Sequence, residues 1–316
     1  MGEKVKKINL RNYGVIIGFL LLCAGVSIAS PAFLTMRNIL NLLRQSAVVG
    51  IISAGMTMII ISGNFDISVG YICGCAGAIT AIVINKGYPF FVMVPVVILF
   101  GALVGLVAGV AIAKFAIPSM IATLGMGQVV KGMLLLITGG YPISVKDPVL
   151  TWIGKGSFLG IPVPIYLFVL SIIFVNFILL KTVLGRYIYS VGGNDETSRL
   201  SGIRVDSIKI ITFIISSILA AISGIVLTAR VGTATATSGE GYELDAIAAV
   251  VIGGTCVSGG EGNAWKTIIG VLFMSVISNS FNLLEVHVYF QYVLKGLIIL
   301  IAVGFDSYNR KRANAA

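Results

Sequence analysis

Gly87-Tyr88-Pro89-Phe90-Phe91-Val92-Met93-Val94-Pro95-Val96-Val97-Ile98-Leu99-Phe100-Gly101-Ala102-Leu103-Val104-Gly105-Leu106-Val107-Ala108-Gly109-Val110-Ala111-Ile112-Ala113 runs from Lys86 to Lys114 without a charge. About 20 apolar residues in a helix cross the hydrocarbon core of a bilayer, so this stretch reads as one membrane span. The same absence of charge recurs on either side of it, over 12–36, 45–65, 67–85, 115–130, 156–180, 210–229, 246–260 and 267–284. A last apolar run, 289–305, carries only Lys295. An ionised side chain at the bilayer centre costs about 2.5–3.5 kcal/mol on insertion scales, which is why gaps between charges mark the spans.

Composition agrees. Charged residues make up 11% of the 316 and hydrophobic ones 57%, with a mean hydropathy of +1.03; soluble domains use about 25% and 45–50%. The expected fold class is all-α, a polytopic integral membrane protein with 1–316 as a single domain. Ten helices are expected near 13–30, 42–62, 67–85, 91–113, 118–138, 163–180, 209–229, 243–257, 266–283 and 289–305, and nine or eleven also fit the pattern. The net charge of +10 does not point to nucleic acid, because the cations sit in blocks. Lys4, Lys6, Lys7 and Arg11 precede the first run, Arg310, Lys311 and Arg312 follow the last, and Lys181, Arg186, Arg199, Arg204 and Lys209 share the centre. Such blocks mark cytoplasmic segments. An even number of spans puts both termini and 181–208 in the cytoplasm and 139–162 outside. Arg37, Arg44 and Lys86 then fall on the outer face, against the rule.

The opening stretch shares features with a secretory signal, with Ser27 and Ala29 placed for cleavage, but its uncharged run exceeds the 7–15 residues of a signal core. Gly101, Gly105 and Gly109 put three hydrogens on one helix face, for packing within the chain or against a second copy. Cys23, Cys73, Cys75 and Cys256 lie in apolar or glycine-rich stretches without a Cys-x-x-Cys pair and read as small buried hydrophobes. The chain has a single histidine, His287, too little for a catalytic constellation. Its nearest approach to a phosphate-binding loop, Gly154-Lys155-Gly156-Ser157, has the wrong order. No catalytic, cofactor or metal residue is expected. Asp66, Lys131 and Lys295 are the only charges within spans, a thin set for a proton relay.

Three glycine-rich polar stretches interrupt the apolar runs. In Ser62-Gly63-Asn64-Phe65-Asp66-Ile67-Ser68-Val69-Gly70 two helices meet almost without a loop, and such backbone must be buried in protein or line a cavity. Asp66 is expected either to cap the next helix or to line a solute path with Asn64 and Phe65. The second stretch runs from Leu184 to Ile203. Following Gly192 and Gly193, Asn194 suits a helix N-cap, Asp195 and Glu196 its first turn, Arg199 its last and Gly202 its left-handed end. A two-turn helix outside the membrane is too short to stand alone, which leaves a docking element or an ordinary loop. In the third, Tyr242, Glu243 and Asp245 open a helix of small residues that Gly253-Gly254 ends. It reads either as a moving gate or as a plain packing helix.

The run Gly185-Arg186-Tyr187-Ile188-Tyr189-Ser190-Val191-Gly192-Gly193-Asn194, the Leu200-Ser201-Gly202-Ile203 after it, and Gly241-Tyr242-Glu243-Leu244-Asp245-Ala246-Ile247-Ala248-Ala249-Val250-Val251-Ile252-Gly253-Gly254-Thr255 closely resemble the ribose/xylose/galactoside permease family of bacterial ABC importers. Asn64-Phe65-Asp66-Ile67-Ser68-Val69-Gly70 departs from that family's commoner Ile-Asp-Leu-Ser-Val-Gly. The resemblance implies a fold like the vitamin B12 type of import permease, located in the bacterial inner membrane. It implies a homodimer or a paired homologous permease, a cytoplasmic ABC ATPase that binds the ATP and Mg, and an extracytoplasmic sugar-binding protein. It places ATPase coupling on 194–202 within the cytoplasmic segment 181–208, and suggests a monosaccharide, ribose first, as solute. The residues alone also admit a secondary transporter or channel that works without an ATPase.

Overall fold

The computed structural model describes residues 10–315. Lys4, Lys6 and Lys7, which carry part of the expected orientation, lie outside the described residues. A helix stands at each of the ten expected places: α1 (Leu10–Ala29), α2 (Met36–Ile61), α3 (Val69–Asn85), α4 (Phe90–Lys114), α5 (Ser119–Thr138), then, after a short α6 (Pro148–Lys155), α7 (Val163–Lys181). Two short helices follow, α8 (Val183–Gly193) and α9 (Asp195–Leu200), and then α10 (Val205–Val231), α11 (Tyr242–Ile252), α12 (Ala264–Leu283) and α13 (Val288–Ala315). Among the described residues six helices, α2, α4, α5, α7, α10 and α12, are long and apolar enough to cross a membrane. Val15–Ala29, Val69–Asn85 and Val288–Ile301 are apolar but shorter. The helix expected over 243–257 stops at Ile252, because Gly253 caps it and Gly254 turns left-handed at φ +87°.

The core forms around α2 and α10. Every residue from Ser46 to Ser62 is buried, and α10 packs most extensively against α4, then α3 and α2. The glycine face of α4 explains the closest of these contacts. A Cβ added at Gly101 would lie 2.7 Å from the Ser217 carbonyl oxygen, one at Gly105 2.6 Å from that of Phe213, and one at Gly109 2.8 Å from Ile210 Cα. The small-residue face therefore serves packing within the chain. Lipid offers helices no hydrophobic reason to associate, so such backbone proximity supplies the dispersion contact.

At one end of the molecule lie four two-residue strands, β1 (Ile143–Ser144), β2 (Ser157–Phe158), β3 (Ile161–Pro162) and β4 (Thr233–Ala234). β1 pairs antiparallel with β4, Ile143 opposite Ala234, and ties the 139–162 segment to the end of α10. β2 and β3 form a hairpin, Phe158 opposite Ile161. α7 and α10 run from this end to the other, where α8 and α9 connect them.

Candidate functional site

The connection α8–α9 is built from local capping. Thr182 Oγ1 accepts from Gly185 N at 3.2 Å to start α8, and Gly185, Ile188 and Val191 form its buried face. Sequence reading missed this helix; the apolar spacing i, i+3, i+6 was the available signal, muted by three glycines. Asn194 caps α9, its Oδ1 accepting from Thr197 N at 2.8 Å. Gly202, at φ +83°, donates to Arg199 O at 3.0 Å, and Ile203 N donates to Ser198 O at 3.1 Å, closing the far end.

α9 has six residues rather than the two turns expected, and neighbours within the chain hold it. Ser198 is buried and its hydroxyl meets that of Ser190 at 2.8 Å. Asp195 pairs with Lys209. Arg199 pairs with Asp206 at 2.9 Å, and Lys114 reaches the same carboxylate at 3.1 Å. Within the chain, Arg199 is thus engaged at the foot of α10. Leu200 is 85% exposed, an apolar side chain with nothing over it. Gly193, Asn194 and Glu196 are exposed beside it.

The second and third glycine-rich stretches meet the first at the end of α2. Ile61 O accepts from Gly260 N at 2.8 Å. A Cβ on Gly192 would overlap the Ile61 carbonyl and lie 2.7 Å from Gly260 N, and one on Gly259 would lie 2.8 Å from Gly63 Cα. Gly63, Gly259 and Gly260 all have positive φ, which side chains other than glycine's adopt with strain. Tyr189 spans the same joint, its hydroxyl donating to Gly262 O at 2.9 Å. Burial raises the phenol's pKa, which keeps it a donor.

The break itself is closed from α5. Ser119 Oγ accepts from Phe65 N at 3.2 Å and Thr123 Oγ1 from Ile67 N at 3.1 Å. Asn64 Nδ2 donates to Ser62 O at 2.9 Å. Asp66 is buried, and its Oδ1 accepts from Ser68 N at 2.9 Å and Ser68 Oγ at 2.5 Å. It therefore fixes the residue before α3 rather than the free N–H groups of its first turn. Its Oδ2 is buried without a partner. Ser119 and Thr123 were absent from the sequence expectation; two hydroxyls one turn apart in an apolar helix were their signal.

A second neighbourhood gathers the carboxylates before and in α11. Glu240 pairs with Lys131 of α5 at 3.4 Å, and that ammonium stands 5.3 Å from the Tyr71 ring. Asp245 pairs with Lys295 of α13 at 2.9 Å. Both lysines that stood alone in apolar runs thus have carboxylate partners. Glu243 is buried, its Oε2 unpartnered against Gly70. Tyr242 is partly buried. A Cβ on Gly253 would lie 2.8 Å from Lys266 O, so α11 ends in backbone contact with α12.

This arrangement, buried polar joints between apolar helices and an exposed short helix at one end, can move a solute or transmit motion but assembles no reacting groups. The chain is 42% identical to the ribose import permease protein of Haemophilus influenzae over 298 residues, 92% of each chain. It is 41% identical to that of Bacillus subtilis, over 94% of this chain and 93% of the relative. With the L-arabinose transport system permease protein of Escherichia coli it shares 37%, over 95% and 91%. No solved structure matches. The family described as branched-chain amino acid transport system / permease component matches residues 38–303, and the chain belongs to that family of transport permeases.

Proposed function

We propose that this chain is the membrane subunit of an ATP-driven importer for a monosaccharide, ribose or a related sugar, working by alternating access. The observation that carries this reading is likeness along more than nine-tenths of both chains to permeases named for ribose. Membership in a permease-component family sets aside the self-sufficient secondary transporter. The whole of 1–316 acts as one permease domain of about ten crossings, α11 with the turns before it making one, in a fold of the vitamin B12 type. It pairs with a second copy or a homologous permease in the inner membrane, both termini cytoplasmic. A cytoplasmic ATPase binds ATP and Mg, and an extracytoplasmic protein delivers the sugar. Residues 192–202 engage the ATPase through the uncovered Leu200, with Gly192, Gly193, Asn194, Glu196, Arg199 and Gly202 shaping the element. The segments around Asn64, Phe65 and Asp66 and around Tyr242, Asp245, Gly253 and Gly254 form the path or its gate.

The test is uptake of labelled ribose in cells lacking their own ribose permease, with the neighbouring ATPase and sugar-binding protein supplied. Uptake that stops when the ATPase is inactivated supports the proposal. Ribose uptake that persists without ATP hydrolysis rejects it, and uptake of L-arabinose in place of ribose reassigns the sugar.

A further inference from the structure

Arg44, which sequence analysis placed on the wrong side for a cation, does not stand alone. It lines a cavity of about 460 Å³ with Asn41, Gln45, Lys155, Arg230 and Val231, where the ends of α2, α6 and α10 meet. Three cations therefore converge, and none of the three forms an ion pair with a carboxylate among the described residues. Arg44 spends its side chain on two long contacts, Nη2 to Lys155 O at 3.3 Å and Nη1 to Asn41 Oδ1 at 3.5 Å. Its Nε is buried and has no partner. Three positive charges without a carboxylate partner, gathered in one recess, favour an oxyanion over a neutral sugar, because only the anion offsets their charge.

The height of the recess names the source of that oxyanion. Arg44 and Arg230 each border a charge-free run, 45–65 and 210–229, and Lys155 borders 156–180. All three therefore sit where hydrocarbon gives way to headgroups. The neighbouring surface is apolar: Val149 and Trp152 on α6 and Phe158 and Leu159 on the hairpin are exposed, Leu159 at 83%. A tryptophan and exposed apolar tips at that level fit acyl chains and the interfacial belt, whereas a folded acidic protein would have to push a carboxylate into the recess. We infer that the Arg44/Lys155/Arg230 cavity is a binding site for the phosphate of an anionic phospholipid at the end of the molecule opposite α9.

The experiment titrates the purified permease with phosphatidylglycerol and with phosphatidylcholine of the same chains, reading retained lipid by native mass spectrometry. Lys155→Gln leaves the carbonyl that Arg44 touches, and Arg230→Gln is the second variant. Each is expected to raise the half-saturating phosphatidylglycerol concentration about five-fold, with retained phosphatidylcholine unchanged. Equal retention of phosphatidylglycerol by parent and both variants overturns the inference. So does displacement of the lipid by inorganic phosphate at matched concentration, which would make this a free-anion site. Variants that lose only their response to a soluble sugar-binding protein, with lipid retention intact, overturn it in favour of a protein-docking surface.

Discussion

Asp66 uses one carboxylate oxygen and leaves the other buried without a partner. An asparagine keeps the acceptor that Ser68 needs, so Asp66→Asn is expected to fold and assemble like the parent. Asp66→Ala removes it and is expected to cost about 0.5–2 kcal/mol, read as a lowered melting temperature in detergent. Asp66→Asn that folds normally yet imports nothing would show that the charge belongs to the solute path. Lys295 tests the opposite case, a charge whose partner is visible. Lys295→Met strands Asp245 and is expected to cost about 1–3 kcal/mol. Adding Asp245→Leu should recover most of that loss, because no carboxylate is then left buried; a double variant as unstable as the single one would mean the pair is not coupled.

Among the helices, the contact of α4 with α10 has no room for a side chain. Gly105→Leu is expected to cost about 1–3 kcal/mol by overpacking, seen as reduced accumulation in the membrane. Gly125 on α5 is the matched control, since a Cβ there meets nothing within 4 Å. Gly125→Ala should leave accumulation unchanged or raise it, and equal damage from both substitutions would refute the packing account. The α4 span and its glycine face were legible in sequence because both depend on spacing along one helix. α8 was not, because glycines dilute its apolar face and its burial comes from α7, α10 and α2. The hydroxyls of Ser119 and Thr123, and the pairing of Lys131 with Glu240 and of Lys295 with Asp245, join positions 50 or more residues apart, which no local pattern encodes.

At the scale of the whole molecule, the coupling proposed for α9 predicts effects at the opposite end, since α10 runs from α9 to the β1–β4 pair. Leu200→Asp places a charge where an apolar anchor would dock, and burying an anchor in a partner commonly contributes 2 kcal/mol or more, so the ATPase should no longer copurify. Arg199→Ala should act more mildly and by another route, loosening α9 from Asp206. Wild-type ATPase recovery and hydrolysis in vesicles with Leu200→Asp would reject α9 as the coupling element. Leu200 is also the probe for orientation that buried Ser198 cannot be. Leu200→Cys should resist an impermeant thiol reagent in intact cells and react in inverted vesicles; labelling from outside would reverse the topology.

The meeting of Ile61, Gly63, Gly192, Gly259 and Gly260 is main chain against main chain, and this sets what kind of genetic change it can absorb. The bond from Gly260 to Ile61 is backbone to backbone, and Tyr189 braces it through its hydroxyl on Gly262 O. Chain length cannot drift. One residue inserted between Thr182 and Tyr189 would turn the end of α8 by about 100°, swinging Tyr189 away from Gly262 and a side chain into the place of Gly192. A one-residue insertion between Thr182 and Tyr189 is therefore expected to undo the joint, whereas substitutions at exposed positions of α8, such as Arg186, are expected to leave it intact.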